Sequence, residues 1–429
     1  MYTMENIIKT YPCGFRLIVK HMPNFKSVST NVYVAAGSRD ENKDEHGLSH
    51  FVEHMLFKGT TTRSANDISS TLGDLGIDIN AYTSNDATCY YTKGLKKNVE
   101  TCVDILSDMY FNNKFSDEDF YKEAEVIVQE ITMRDDEPRS VMFDLARETF
   151  FAGTTIGHDI AGTIEEIRRY KPSDIKKYLN KHYVAPKTIL SFAGDITLEQ
   201  AESLAEKYFL DRFKGEAKPK IKNTKDNQKV MPAKKFATKV KDVEQHNVTI
   251  FFPTINNVHS DRYVWSYIYE ILSGGMSSRL FTSVREELGL VYTISGGVAL
   301  YDIGGYYYIW FSCTPNNTEK VLETIGKEIE RFKKEGPTDT EMEKVRNQRM
   351  TNELFQAENV SATNGRNVTS LAEFNKIRTT EEYLEDINRV TVEDVLRVAN
   401  ENLNYNNIVV AAVGKTFEFK PFEKLKVRS

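Results

Sequence analysis

Hydrophobic residues recur along the chain in two alternating patterns. Short apolar runs predict strands, and longer stretches with apolar residues every three or four positions predict helices. Strands are predicted in the first half at residues 15–19, 29–36, 78–83, 87–92 and 188–193, and in the second half at 237–241, 247–252, 291–298, 306–313 and 407–413. Some of these strands are joined by tight hairpins. This favours largely antiparallel sheets with helices packed on one face over a doubly wound parallel sheet.

The two halves of the chain resemble each other. The segment PSDIKKYLNKHYVAPKTILSFAGD, from Pro172, aligns without gaps with VEDVLRVANENLNYNNIVVAAVGK, from Val392. Both predict a helix, a short turn and an apolar strand that ends in Gly. At nearly the same offset, Ser116 and Thr338 each precede a predicted helix that they can cap. We therefore predict an α+β protein with two homologous α/β halves, although a general likeness among α/β segments is the alternative explanation.

The segment between the halves has a different composition. FKGEAKPKIKNTKDNQKVMPAKK, residues 213–235, is rich in Lys, Asn and Pro and has little apolar periodicity. It predicts a linker, and its lysines are better explained by solvation than by an anion-binding patch. The predicted organisation is a first half at residues 1–212, a linker at 213–235 and a second half at 236–429.

Composition excludes several classes of protein. The 429 residues are 40% hydrophobic and 28% charged, which is typical of a folded globular chain. A net charge of −6 argues against nucleic acid as the main partner, and four cysteines without a C-x-x-C pair argue against a disulfide scaffold. The first residues, MYTMENIIKTYPCGFRLIVK, do not resemble a signal peptide, and no apolar run is long enough to cross a membrane. A cytoplasmic protein without a membrane span is the expectation.

Candidate chemistry lies in HGLSHFVEHMLFKGT, residues 46–60, which contains H-x-x-E-H as His50, Glu53 and His54. On a helix, side chains four residues apart share a face, so both imidazoles suit adjacent corners of a zinc tetrahedron. Glu53 lies at the edge of the same site, where it can take a proton from a water held by the metal. The alternative is an exposed helix with two histidines around a glutamate, and His46 is better explained as a loop or helix-start residue.

A zinc hydrolase also needs a third protein ligand. The segment KEAEVIVQEITMRDDEP, residues 122–138, predicts a helix that carries Glu123, Glu125 and Glu130. Glu123 and Glu130 are seven residues apart and share a face, whereas Glu125 points elsewhere. A solvated helix surface explains all three residues equally well.

The segment HGLSHFVEHMLFKGT resembles the zinc signature of the pitrilysin/insulinase family of inverted-zincin peptidases. In that family the third zinc ligand is a Glu that follows the second His at a characteristic interval, and a supporting Glu lies two helical turns before it. Glu130 and Glu123 match those two positions. The resemblance implies one Zn²⁺ per chain, bound by His50, His54 and Glu130, with Glu53 as general base and Glu123 as a supporting residue.

Two further segments resemble parts of the same family. SGGMSSRLFTSVREELGLVY, from Ser273, resembles its substrate signature of an Arg and a Tyr seven residues apart, here Arg285 and Tyr292. The resemblance implies that they bind substrate and the developing oxyanion, for which a guanidinium and a phenol are suited. GIDINAYTSNDATCYY, residues 76–91, resembles the edge strand that receives the substrate peptide, which implies substrate contacts at the residues Asn80, Ala81 and Tyr82. Purely structural roles are the alternative for both segments.

The resemblance implies a zinc-dependent endopeptidase that cleaves short or unfolded peptides, for processing or for peptide clearance. Relatives of this length form dimers that enclose a chamber, so we expect a homodimer, with a heterodimer as the alternative. The second half has SYIYE, residues 266–270, in place of the histidine motif, so the metal is expected in the first half. A non-catalytic core or scaffold subunit of the same fold is the alternative function, and the same ligands would also accept manganese or cobalt.

Overall fold

The computed structural model describes residues 6–220 and 230–426. Residues 221–229 of the predicted linker lie outside this part of the chain. All ten predicted strands are present in it, together with a further strand near the N-terminus. The strands are β1 (Ile7–Thr10), β2 (Arg16–His21), β3 (Ser27–Val34), β4 (Asp78–Thr83), β5 (Thr88–Leu95), β6 (Thr188–Gly194), β7 (Lys235–Val240), β8 (His246–Pro253), β9 (Thr293–Tyr301), β10 (Gly304–Cys313) and β11 (Val409–Gly414).

Helices connect and cover these strands. They are α1 (Leu48–Leu56), α2 (Ala65–Asp74), α3 (Val99–Asn112), α4 (Asp117–Asp136), α5 (Pro138–Phe150), α6 (Ile164–Arg169), α7 (Pro172–His182), α8 (Leu198–Ala205), α9 (Arg262–Ser273), α10 (Thr318–Glu335), α11 (Asp339–Ala357), α12 (Val360–Phe374), α13 (Thr380–Asn388), α14 (Val392–Asn402) and α15 (Pro421–Leu425). Within the described ranges, 6–220 and 230–426, none of the helices combines the length and the apolar character needed to span a membrane.

The chain forms two compact units, each assembled from three segments. The first unit contains Met1–Thr132, His158–Lys222 and Leu354–Arg378, and the second contains Met133–Gly157, Asn223–Glu353 and Thr379–Ser429. Each unit is built around one sheet.

The two sheets share a five-strand topology, to which the first sheet adds β1 at one edge. The first has the strand order β1-β2-β6-β3-β5-β4, and the second has the order β7-β11-β8-β10-β9. In the first sheet β2 and β6 are parallel, and in the second β7 and β11 are parallel; the other neighbours are antiparallel. Gly194 ends β6 and Gly414 ends β11, as the alignment of the two sequence halves predicts. The predicted α+β fold of two related halves with largely antiparallel sheets is confirmed.

Alternate residues of the first sheet are buried on opposite faces. One face, with Leu17, Val32 and Leu190, belongs to the main core of the unit with α1 and α3. The other face is covered by α12, through apolar contacts and through the buried Asn364. The side-chain amide of Asn364 donates hydrogen bonds to the backbone oxygens of Ser29 on β3 and of a β6 residue, each at 3.0 Å.

The second sheet is also covered on both faces. Its main core includes α9, α10 and α14, and α5 packs on the opposite face through an aromatic cluster of Phe150, Phe251 and Tyr306. The helix α5 comes from the first half of the sequence, whereas α12 comes from the second half. Each half of the chain therefore contributes a helix to the unit that is built mainly from the other half. This exchange was not predicted, and because of it each sheet has helices on both faces, whereas helices on one face were expected.

Candidate active site

The helix α1 carries the histidine motif and begins at a glycine that cannot be replaced without strain. Gly47 precedes the helix with φ of 88°, a left-handed conformation that favours glycine, and an added Cβ would lie 2.6 Å from the backbone oxygen of Ala161. One side of α1 is buried in the core of the first unit through Phe51, Val52 and Met55. His50, Glu53 and His54 are only partly buried, so their side chains are available to form the candidate site.

Glu130 on α4 meets both histidines. Its two carboxylate oxygens lie 3.7 Å from Nε2 of His50 and 3.5 Å from Nε2 of His54, and the candidate ligand atoms of the three residues all lie within 4.8 Å of one another. Zinc bonds of about 2.0–2.2 Å in a tetrahedron place the ligand atoms about 3.3–3.6 Å apart. The two distances from Glu130 to the histidines are close to this spacing, and the donor set of two imidazoles and a carboxylate suits a zinc ion.

Glu123 supports this cluster from two turns earlier on α4. Its Oε1 lies 2.8 Å from Nδ1 of His54, and its other oxygen forms an ion pair with Lys58. When the ring is neutral and Nδ1 is the donor, the lone pair of His54 lies on Nε2, on the side of Glu130. Burial opposes the charge of Glu123, but the hydrogen bonds from His54 and Lys58 lower the pKa of its carboxyl.

The same contacts act on the imidazole of His54. Burial lowers its pKa, but the hydrogen bonds with Glu123 and Glu130 outweigh this effect and raise the pKa to about 9. A metal ion therefore has to displace a proton from His54 at neutral pH.

Glu53 contacts a residue that was not predicted for the site. Its Oε2 accepts a hydrogen bond of 2.5 Å from the hydroxyl of Thr83, the last residue of β4. Burial raises the pKa of Glu53, although the Thr83 hydroxyl lowers it, and a raised carboxyl pKa suits a general base that works near neutral pH. Thr83 was missed because this contact joins a helix and a strand that are distant in sequence.

Asn80, Ala81 and Tyr82 lie on β4, which is the edge strand of the first sheet. Asn80 and Tyr82 are exposed and Ala81 is half-buried. An edge strand offers unpaired backbone groups to an additional strand, so its position suits peptide addition. The substrate role of these three residues stays a prediction.

Arg285 and Tyr292 lie in the second unit. Arg285 is part of a π-helix at Phe281–Glu287, and its guanidinium carbon is 5.1 Å from the ring centroid of Tyr292. Tyr292 is 78% exposed, although it precedes a strand. The two residues are brought together, and their predicted roles in substrate binding are not tested by this contact. When the two halves are aligned, the residue of α9 that corresponds to His54 is Glu270. Glu270 forms a 3.0 Å ion pair with Arg349.

Comparison with known proteins supports the picture given by the fold and the site. Residues 16–164 match the family model "Insulinase (Peptidase family M16)", and residues 170–349 match the model "Peptidase M16 inactive domain". The chain is 30% identical over 397 residues to an uncharacterized zinc protease of Bacillus subtilis, covering 92% of this chain and 95% of that protein. It is 31% identical to an uncharacterized zinc protease of Rickettsia felis, covering 93% and 95%.

The fold is also similar to that of solved structures. The structure of a protease from Helicobacter pylori matches with a TM-score of 0.88 and 21% identity, covering 96% of this chain and all of that one. The fold and the cluster on α1 and α4 define a zinc-protease-like protein with two related halves. The chain belongs to the insulinase family, peptidase family M16.

Proposed function

We propose that the protein is a zinc-dependent endopeptidase that acts on short or unfolded peptides. The observation that carries this proposal is the cluster of His50, His54 and Glu130, whose ligand atoms lie within 4.8 Å of one another beside Glu53. The relatives from Bacillus subtilis and Rickettsia felis are named zinc proteases, which supports zinc as the metal.

In this proposal His50, His54 and Glu130 hold one zinc ion, and Glu123 orients His54. Zinc in this site would polarise the scissile carbonyl and lower the pKa of water. Glu53 accepts a proton from the attacking water on its carboxylate and passes it to the leaving amine. The Thr83 hydroxyl donates to Oε2 of Glu53 and thereby holds the carboxylate in place.

The substrate class follows from the position of β4. A peptide that adds to an edge strand must be extended, and its main chain supplies the hydrogen bonds, so short or unfolded peptides of varied sequence are accepted. Asn80, Ala81 and Tyr82 contact this peptide, and Arg285 and Tyr292 bind substrate and stabilise the oxyanion.

We further propose that a homodimer encloses the chamber in which cleavage occurs, in the cytoplasm. A heterodimer with a related subunit is the alternative. Light scattering of the purified chain distinguishes them, because a homodimer has twice the monomer mass of 49.2 kDa. A monomer at working concentration would contradict the homodimer.

The function is tested with a quenched fluorescent peptide library and the variant Glu53→Gln. We expect a loss of about 10²–10⁴-fold in cleavage rate, because the amide cannot accept the proton. Zinc content should be unchanged, since Glu53 is not a ligand in this proposal. Glu125→Gln is the matched control, because Glu125 lies on α4 but pairs with Arg168 on the surface. Full activity in Glu53→Gln would refute the mechanism, and a wild-type chain that binds zinc without cleaving any peptide would favour the scaffold function.

A further inference from the structure

We propose that Glu41 is a positioning residue for the metal site. Its buried carboxylate holds the first turn of α1 and thereby sets the histidines of that helix in place for a metal ion. The inference rests on the proposed metal site and adds to it a residue that lies before the histidine motif in sequence.

The carboxylate of Glu41 is bound to the backbone at the start of α1. Its Oε1 accepts a hydrogen bond of 2.7 Å from the amide of Ser49, and its Oε2 accepts one of 3.0 Å from the amide of Gly47. Amide groups in the first turn of a helix have no partner within the helix, so a group from outside the helix has to supply one. One carboxylate therefore satisfies two of the donors that α1 leaves open at its start.

The surroundings compensate the burial of the Glu41 carboxylate. Its side chain has no exposed surface, and a third contact comes from Nε2 of His158 at 3.3 Å. A buried carboxylate is tolerated when hydrogen bonds and a positive potential surround it. Both are present here, because the positive end of the α1 dipole adds to the two amide donors.

The bound turn is directly joined to the metal site. Ser49 is followed by His50, whose Nε2 faces Glu130 at 3.7 Å, and His54 comes one turn later on the same rigid helix. The hydroxyl of Ser49 also forms a 2.7 Å hydrogen bond with the hydroxyl of Tyr178. A shift at this turn would therefore move the imidazole of His50 relative to Glu130.

A second acid in the same loop provides the comparison. Glu45 accepts a 2.9 Å hydrogen bond from the amide of Asn42 and pairs with Lys181, also at 2.9 Å. Its side chain caps a turn within the loop, whereas that of Glu41 binds the start of α1. The variants Glu41→Gln and Glu45→Gln thus remove the same charge from the same loop and differ in their contact with the metal helix.

The experiment measures zinc affinity by competition with a chromophoric chelator, at a temperature where circular dichroism shows every variant folded. Glu41→Gln should bind zinc about 10–100-fold more weakly, the usual range when a residue that orients a metal ligand is removed. Glu45→Gln should bind zinc as the wild type does. Should Glu41→Gln fail to fold, Glu41→Asp replaces it, because it keeps the charge but is too short to reach both amides, and it should also bind zinc more weakly.

Unchanged zinc affinity in the Glu41 variant would overturn the inference, even if that variant melts at a lower temperature than the wild type. An equal loss of zinc affinity in Glu45→Gln would also overturn it. The readout does not depend on peptide cleavage. Absence of cleavage in a wild type that shows the expected affinities would contradict only the proposed function. A Glu41→Gln chain with wild-type zinc affinity and full peptidase activity would contradict only the role of Glu41.

Discussion

Replacing Glu123 by Gln tests how the site orients its ligands without touching the metal residues themselves. The change keeps the size of the side chain but removes its charge, at a position where only 7% of the side chain is exposed. The 2.8 Å hydrogen bond to His54 loses its charge assistance, and Lys58 loses its carboxylate partner. The imidazole of His54 is then held less firmly in its orientation towards Glu130.

The expected magnitude follows from these contacts. Removal of a carboxylate that orients a metal-bound histidine weakens metal affinity by about 10–100-fold, which corresponds to about 1.4–2.7 kcal/mol. Glu130→Gln should weaken zinc binding more than Glu123→Gln does, because it replaces a proposed ligand rather than a residue that orients one.

The assay is a zinc competition titration on wild type, Glu123→Gln, Glu130→Gln and the control Glu125→Gln. Glu125 lies on α4 two residues from Glu123 and forms an exposed ion pair with Arg168, so its variant should bind zinc as tightly as the wild type. Wild-type affinity in Glu123→Gln would refute the orienting role. Wild-type affinity in Glu130→Gln would refute the third ligand.

Three further predictions concern other parts of the chain. Burial and the nearby Lys187 lower the pKa of His182 to about 4, so between pH 4 and 6.5 the folded state binds fewer protons than the unfolded state. The contribution of His182 to the free energy of unfolding should therefore be fully present above pH 6.5 and decrease by up to about 3 kcal/mol as the pH falls towards 4. Urea unfolding at pH 7 and 4.5 measures this, and a His182→Gln variant with an equally large loss would contradict it. Tyr292→Phe should lower kcat/KM by about 10²–10³-fold with unchanged zinc content, and a wild-type rate in the peptide assay would exclude the oxyanion role. Phe150 lies at the end of α5 in the aromatic cluster, and Phe150→Ala should lower the free energy of unfolding by about 3–5 kcal/mol in chemical denaturation. The control Tyr121→Ala replaces an exposed residue and should change it by no more than about 0.5 kcal/mol. Equal effects of the two variants would show that the cluster does not stabilise the second unit.

Local patterns in the sequence were sufficient to predict most strands. Ten of the eleven strands in the described ranges coincide with predicted strands, and most of these have side chains buried on one or both faces of a sheet. The strand β1 (Ile7–Thr10) was missed because it is only four residues long, in addition to lying exposed at the sheet edge. So short a segment shows too little alternation of apolar and polar residues to be recognised.

The exchange of α5 and α12 could not be predicted from the sequence, for a different reason. Both helices are amphipathic, but an amphipathic pattern does not specify which sheet a helix covers. The contacts of Asn364 with Ser29 and Ser191 join positions that are far apart in the sequence, and only the folded chain reveals them.

The candidate site was predicted in part from spacing. The four-residue interval places His50 and His54 on one face of a helix, but Glu130 was selected through family resemblance, since any exposed acid on α4 would have satisfied the local pattern. Glu41 and Thr83 were not predicted, because each acts through a hydrogen bond to another element. For Glu41 a weak signal existed, since an acid shortly before a helix favours its positive end, but Glu45 shares that signal.

The central claim is that one zinc ion on the first unit enables peptide cleavage. The most direct test removes metal from the purified chain with a chelator and measures the cleavage of a quenched peptide while zinc is added back in known amounts. The account predicts a rate that is near zero without metal, rises linearly with zinc and stops rising at one equivalent per chain. Cleavage that persists at full rate after metal removal, or no cleavage at any amount of zinc, would contradict it.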